Sequence, residues 1–367
     1  MNRIMLIPIA IIAICMVPIL AEDSEAAFTV TDGTGMTFEY AEAEDKIILN
    51  GSATALTIAD AGAVDKIVAV DMYSTYEYTK FEELKDLRAE DLKSFYGTTN
   101  HEYIITTIVK MVESGKFSLD DTIILTSYSS NLELREKLSK EGFTRILVWN
   151  TIESYSDLVK MVEDVSLIAS GSIPDSITAM KSKIKAVEDK AASFDGTDRP
   201  KALYVWYYSK SLQIGNTGIM KSMLDVCKAN NIGYDPSNSA ARYGDVNAIT
   251  KLLENNKDAV VFVSNSYFSA GKTLDDFYNE VFSGDRTIKV IPMGLQWNNW
   301  CPESADGLTE IANALYASEP TPAPEPAPEP SEDKGLGKYI VYAAAAMSAI
   351  LLLALIGLYF KLKKNKA

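Results

Sequence analysis

Histidine is nearly absent: His101 is the only one in 367 residues, and just three cysteines accompany it. Sites that grip a bare transition-metal ion usually draw on several imidazoles or thiolates, so no protein-built metal centre is expected. Catalysis that needs a second histidine is excluded, and the chain contains no HExxH, GxSxG or P-loop pattern. No catalytic residue is therefore assigned. His101 itself reads as an ordinary exposed helix residue. Cys15 falls within an N-terminal apolar run and lacks the small neighbours of a lipid-attachment site. Cys227 and Cys301 are then too few for a disulfide framework, and whether they bridge each other stays open. Positive charge is scarce as well, with 35 Lys and Arg against 50 Asp and Glu. Without a basic patch to release counterions, nucleic acid is not an expected partner.

Long apolar runs are missing from the interior and confined to the two ends. Residues 1–27 read as a secretory signal segment: Arg3, an almost unbroken apolar stretch, then Glu22, Asp23 and Glu25. Pro8 and Pro18 speak against a buried core helix there. Whether the segment is cleaved or kept as a second anchor stays open. Residues 338–360 include a charge-free stretch of about 22 residues, enough to cross roughly 30 Å of hydrocarbon as a helix. Lys361, Lys363, Lys364 and Lys366 make 361–367 the tail that the positive-inside rule places in the cytoplasm. Ahead of the span, 318–337 alternates Pro with Ala, Thr and Glu, a composition that favours extended polyproline II and forms a stalk. Everything between is expected outside the cell, held by a single-pass C-terminal anchor. Setting aside Arg3 and the four tail lysines leaves 30 cations against 50 acids, a net charge near −20 on that exterior part.

Between the ends, short β-branched runs alternate with helical periodicity. Strands are predicted at 46–49, 66–70, 122–125 and 145–149, with helices at 53–61, 101–113, 132–141 and 155–169. The rhythm resumes after residue 199, with strands at 202–206, 259–263 and 289–292 and helices at 220–229, 246–255, 274–282 and 305–316. Such alternation predicts an α/β fold with parallel sheets. Ile177, Met180, Ile184, Val187, Ala191 and Phe194 recur at steps of three and four, marking one helix of about 20 residues and roughly 30 Å. Gly171, Ser172 and Pro174 supply its start, with Ser as a cap. The expected architecture is two Rossmann-like parallel-sheet lobes, 38–170 and 199–317, bridged by that single long helix within 172–196.

The blocks KIILNGSATALTIADAGAVDKIVAVDMYSTYEY, NHEYI and DDTIILTSYSSNLELREKLSKEGFTRILVW, followed by KALYVWYYSKSLQIGNTGIMKSMLDVCKANNI and QWNNWCPESADGLTEIANALY, run in order along residues 44–317. Their order and spacing resemble the ABC-importer solute-binding proteins for ferric siderophores, haem and cobalamin. That family has two α/β lobes joined by a long helix, and the resemblance implies a non-enzymatic capture subunit that works with a permease and its ATPase. Departures occur where Gly51 and Ala55 replace the family's usual Pro and Glu.

In open α/β sheets, ligands sit outside the carboxyl ends of the strands. Those ends carry Tyr73, Tyr76, Tyr78, Tyr128 and Trp149 in the first lobe, and Trp206, Tyr207, Tyr208, Tyr267, Trp297 and Trp300 in the second. The resemblance adds Tyr96. Candidate ligand contacts are Tyr73, Tyr76, Tyr96, Tyr128, Trp149, Trp206, Tyr207, Tyr267, Trp297 and Trp300, although the same rings also suit core packing. Such a surface fits a large planar or chelated solute, namely an iron chelate, haem or a corrinoid as cargo, with no resident cofactor. In the family, one acid on each lobe meets arginines of the permease. The match places this docking role on Glu102 and, where the second-lobe helix starts GDVNAI, on Asp245. Two other readings stay open: a membrane-anchored extracellular hydrolase using paired carboxylates, and a surface sensing or adhesion module on the same fold.

Overall fold

The computed structural model describes residues 27–316, apart from 73, 75–81, 86, 88, 96, 127, 151, 194–198, 296 and 298. The expected signal segment up to residue 26, the stalk, the membrane helix and the tail lie outside the described residues. Among the described residues no helix is long and apolar enough to cross a membrane.

A hairpin comes first, β1 (Phe28–Thr31) pairing antiparallel with β2 (Thr37–Tyr40). Its turn is held by Asp32, whose Oδ1 accepts from the Thr34 and Met36 amides at 2.8 and 3.0 Å. Asp32 Oδ2 takes the Val148 amide at 3.0 Å and the Arg135 guanidinium at 3.1 Å, tying the hairpin to the first sheet.

That sheet follows in the order β3 (Ile47–Leu49), α1 (Ser52–Asp60), β4 (Ile67–Val70), α2 (Glu82–Lys85), β5 (Glu90–Asp91), α3 (His101–Glu113), β6 (Thr122–Thr126), α4 (Asn131–Lys140) and β7 (Ile146–Trp149). The strands lie in the order β5-β4-β3-β6-β7, all parallel. β3, β6 and β7 are buried along their whole length, as strands covered by helices on both faces must be, and that is why they read as continuous apolar runs. The chain winds outward in both directions from β3 and β6, so the topological switch point lies between them. Asn50 closes it. Its side chain donates to Thr126 O at 3.0 Å and accepts the Thr126 amide at 2.5 Å, while Thr126 Oγ1 donates to Asn50 O at 2.9 Å. Gly51 follows at φ 85°, and a Cβ there would come within 2.9 Å of Thr126 Oγ1. Among the described residues, the two strand ends that flank the switch point are thus held together by the protein's own polar groups.

α5 (Tyr155–Ser170) opens on a capping box between Ser154 and Asp157 and ends at Gly171 in the left-handed region, φ 73°. α6 (Asp175–Ala192) is the predicted long helix, with Pro174 at the cap position and no side-chain cap, so Ser172 does not cap it. Phe194 lies outside the described residues. The periodic residues Ile177, Met180, Ile184, Val187 and Ala191 are all buried on one face.

The second sheet comprises β8 (Lys201–Tyr208), β9 (Ser211–Gly215), α7 (Ile219–Val226), β10 (Asn230–Asn231), β11 (Arg242–Tyr243), α8 (Val246–Glu254), β12 (Val260–Val263), α9 (Asn265–Ser269), α10 (Leu274–Phe282), β13 (Val290–Pro292) and α11 (Ser304–Leu315). Its order is β11-β9-β8-β12-β13, with β10 also on β8. β8, β10, β12 and β13 are parallel, but β9 runs antiparallel to β8 and β11 antiparallel to β9. The all-parallel expectation is thus corrected for this lobe. Ser209 and Lys210 both take positive φ, 50° and 65°, the geometry of a two-residue type I′ hairpin turn. That turn sends the chain straight back along β8 where a crossover helix was expected.

α6 packs against α5 on one side and against α7 and α11 on the other. One hydrophobic cluster therefore joins Ile47, Leu56 and Leu158 of the first lobe, the buried face of α6, and Tyr204, Met223, Phe262 and Leu308 of the second. Tyr155 pins the junction from the first lobe, its hydroxyl donating to Ser304 O at 3.2 Å. Cys227 and Cys301 are buried in the second lobe and not joined to each other.

His101 corrects its expectation, for its side chain is fully buried. It shares the inner face of α3 with Ile104, Ile108 and Met111. Neither ring nitrogen has a hydrogen-bond partner among the described residues, and Glu133 Oε1 stands 3.9 Å from Nδ1. Burial holds the imidazole pKa below its usual 6.5; Lys137 acts in the same direction and Glu133 against it. Below pH ~6.5 the unfolded chain takes up this proton before the folded one does, so acidification lowers stability through His101. We predict that Tm falls between pH 7 and pH 5 and falls less for His101→Gln over the same interval. Identical pH profiles would contradict the assignment.

Candidate ligand-binding cleft

A cavity of about 590 Å³ opens where the two lobes meet. The first lobe lines it with Trp149, Asn150, Ile152 and Glu153, the segment between β7 and α5; the second contributes Thr217, Gly218, Lys221, Tyr234 and Trp300. Each wall is positioned locally. Trp149 ends β7, and Gly33 of the hairpin turn fits against it so closely that a Cβ would lie 3.0 Å from its ring. Gly218 begins α7 at φ 68°, a conformation side-chained residues rarely adopt, and this turns the helix into the cleft. Ser222, one turn on, donates to Glu153 O at 3.1 Å and fastens the two walls together. Trp300 stacks edge-on against Tyr155 with centroids 6.2 Å apart. The Lys221 ammonium lies 4.9 Å from the centre of the Tyr234 ring and 2.5 Å from Asp225.

Two indoles, one phenol, an amide and one charge of each sign make this a mixed surface. Aromatic faces of this kind can stack against a flat ring, and the polar groups beside them can hydrogen-bond to its edges. Asn150 Oδ1 is buried on the cleft wall without a partner among the described residues, an acceptor aimed at nothing within the protein. The described residues contain no group of three His, Cys, Asp or Glu side chains placed to hold a metal ion.

Of the residues singled out from sequence, Trp149 and Trp300 are brought together on this cavity. Tyr73, Tyr76 and Tyr96 lie outside the described residues. Tyr128 packs on the outer core of the first lobe. Trp206 stands on the β8–β9 hairpin, where the Arg242 guanidinium lies 5.4 Å from its ring and 4.4 Å from that of Tyr208. Tyr207 turns to the opposite face and packs edge-on against Tyr267 at 5.4 Å. Tyr267 is fully buried among Phe268, Phe277 and Tyr207, so its ring belongs to the core and not to the cleft wall. Trp297 covers two glycines: a Cβ at Gly294 or Gly307 would come within 2.5 or 2.6 Å of its atoms. It too is a packing residue.

Glu102 is exposed in the first turn of α3, and Asp245 is exposed as the cap of α8, its carboxylate accepting the Ala248 amide at 3.0 Å. Both helices begin at the carboxyl end of their own sheet's parallel strands. Sequence reasoning missed Tyr234, Lys221, Asn150 and Glu153. Asn150 and Glu153 directly follow the predicted strand 145–149, where only the ring of Trp149 was singled out, and Lys221 and Tyr234 end no strand that the sequence displays.

No protein-family model matches the chain, and no curated protein matches its sequence. Solved structures do match in fold. The periplasmic vitamin B12 binding protein BtuF of Vibrio cholerae aligns with a TM-score of 0.51 and 16% identity, over 74% of this chain and 96% of its own. The periplasmic heme-binding protein RhuT from Roseiflexus sp. RS-1 aligns at 0.52 with 12% identity, over 75% and 99%. CeuE of Helicobacter pylori, solved with Ni(II) bound, aligns at 0.55 with 14% identity, over 79% and 89%. At such identities the likeness is one of fold: the chain is built on the same α/β plan, with parallel strands layered against helices, as these periplasmic binding proteins.

Proposed function

We propose that this chain is the solute-binding subunit of an ABC importer, capturing an iron complex, haem or a corrinoid outside the cell and handing it to a membrane permease. The observation that carries the reading is the cavity between the lobes, walled by Trp149 and Trp300 and joined by Tyr234. Its volume of about 590 Å³ falls in the range of small-molecule sites, about 300–1,000 Å³. The fold shared with binding proteins for vitamin B12 and heme supports it. The reading is of a carrier that does no chemistry. Two α/β lobes around one linking helix form the capture module. The signal segment, the proline-rich stalk and the C-terminal membrane helix complete it as a tethered exterior protein. Cargo stacks on the indoles and is oriented at its edges by Asn150, Glu153 and Lys221.

Glu102 and Asp245 serve as docking charges for the permease, setting orientation and association rate more than affinity. Because Asp245 already caps α8, Glu102 is the cleaner probe.

Titrating residues 28–318 with haem, cobalamin and ferric chelates is expected to quench fluorescence from Trp149 and Trp300. At a hundredfold excess over Kd, the bound cargo raises Tm by about 5 °C. A panel that changes neither signal rejects the ligand class. Glu102→Arg is expected to bind cargo as the wild type does while lowering uptake by cells about tenfold; wild-type uptake removes the docking role.

A further inference from the structure

Beside the main cleft lies a second cavity of about 310 Å³, and Lys221 and Tyr234 line both. The remaining walls of this annex include Arg199, Asp225 and Asn231. Its charge runs against that of the molecule. The exterior part of the chain carries a large excess of acids, yet here two cations face one carboxylate, and Asp225 is already matched by Lys221 at 2.5 Å. Arg199 is exposed and makes no ion pair among the described residues.

Asn231 defines the remaining demand. Its Oδ1 accepts the Gly233 amide at 3.1 Å, which fixes the orientation of the side-chain amide. Nδ2 therefore points the other way, and it is buried with no acceptor among the described residues. A buried donor without a partner is destabilising, so an acceptor that reached Nδ2 would recover a hydrogen bond. A guanidinium, an ammonium and a side-chain amide on residues that line one small cavity are the elements of an anion site.

We propose that the annex receives the anionic arm of the cargo, a carboxylate or a phosphodiester, while the flat body of the same molecule occupies the main cleft. The inference rests on the solute-binding reading above and narrows it to cargo with an acidic side arm. Arg199 and Asn231 are the specificity-determining residues. Lys221, with its stem between the two cavities and its ammonium over Tyr234, meets the arm where it leaves the body.

Two matched pairs of probes test it on the full chain in lipid nanodiscs. Haem and its dimethyl ester differ only in the free carboxylates; cobalamin and cobinamide differ in the phosphodiester-linked arm. The wild type is expected to bind the anionic member of at least one pair about tenfold more tightly, the gain of one charge-assisted contact. The haem pair reports a carboxylate and the corrinoid pair a phosphodiester. Arg199→Gln lowers that ratio severalfold, Asn231→Leu lowers it as well, and the wild-type preference shrinks as salt rises. Arg199 is exposed, so its variant reports even if Asn231→Leu fails to fold. Tight binding with equal affinity within both pairs, or a preference that persists in Arg199→Gln, overturns the annex while leaving the cargo reading in place. Absence of binding by all four probes overturns both.

Discussion

One hydrophobic core runs through both lobes, and the rest of the structure depends on it. α6 contributes Ile177, Met180, Ile184, Val187 and Ala191 to a cluster that also holds residues of α1 and α5 on one side and α7 and α11 on the other. Burying those five side chains stabilises the junction by something of order 10 kcal/mol. The polar links across it are weaker. Ser222 to Glu153 O and Tyr155 to Ser304 O contribute about 1 kcal/mol each, and the exposed Lys183–Asp306 pair less. Apolar burial therefore decides the geometry, and the lobes form one body. A pair of domains meeting through a modest polar interface would instead be expected to move against each other.

On the proposed carrier reading, the consequence for binding is a cleft that exists before cargo arrives. Trp149 is seated by the hairpin turn at Gly33, Trp300 by Tyr155, and the Gly218 turn by the bond from Ser222 to the opposite wall. With the walls fixed in advance, little ordering cost is left for the moment of capture. At the switch point of the first sheet, Asn50 and Thr126 are tied to each other by their own hydrogen bonds. The cavity lies at the seam between lobes, and Lys221, which lines it, also lines the annex with Arg199 and Asn231.

Much of this was legible in the sequence where burial leaves a pattern. β3, β6 and β7 are enclosed on both faces and read as short apolar runs, and the buried face of α6 shows as steps of three and four. The β8–β9 hairpin was hidden because its turn is Ser209–Lys210, without the Asn-Gly signature of a type I′ geometry. His101 was misjudged although it sits three residues before Ile104 and seven before Ile108, on the same helical face. Aromatic residues at strand ends were the harder case. Tyr267 and Trp297 have the same local sequence character as Trp149 and Trp300, and only packing separates a ring held in the core from one that lines a wall. Tyr234, Arg199 and Asn231 follow no strand visible in the sequence, so nothing local marked them.

The claim that the two lobes are one body is tested most directly by the distance between them in solution. Spin labels at Lys140→Cys in α4 and Lys251→Cys in α8 occupy exposed sites on opposite lobes, while Cys227 and Cys301 are buried away from the reagent. A shared core predicts one narrow distance distribution without cargo, shifting by no more than about 1 Å when haem or cobalamin is added. A broad distribution in the empty protein, or a shift beyond about 2 Å on binding, would contradict it and make the lobes a hinged pair.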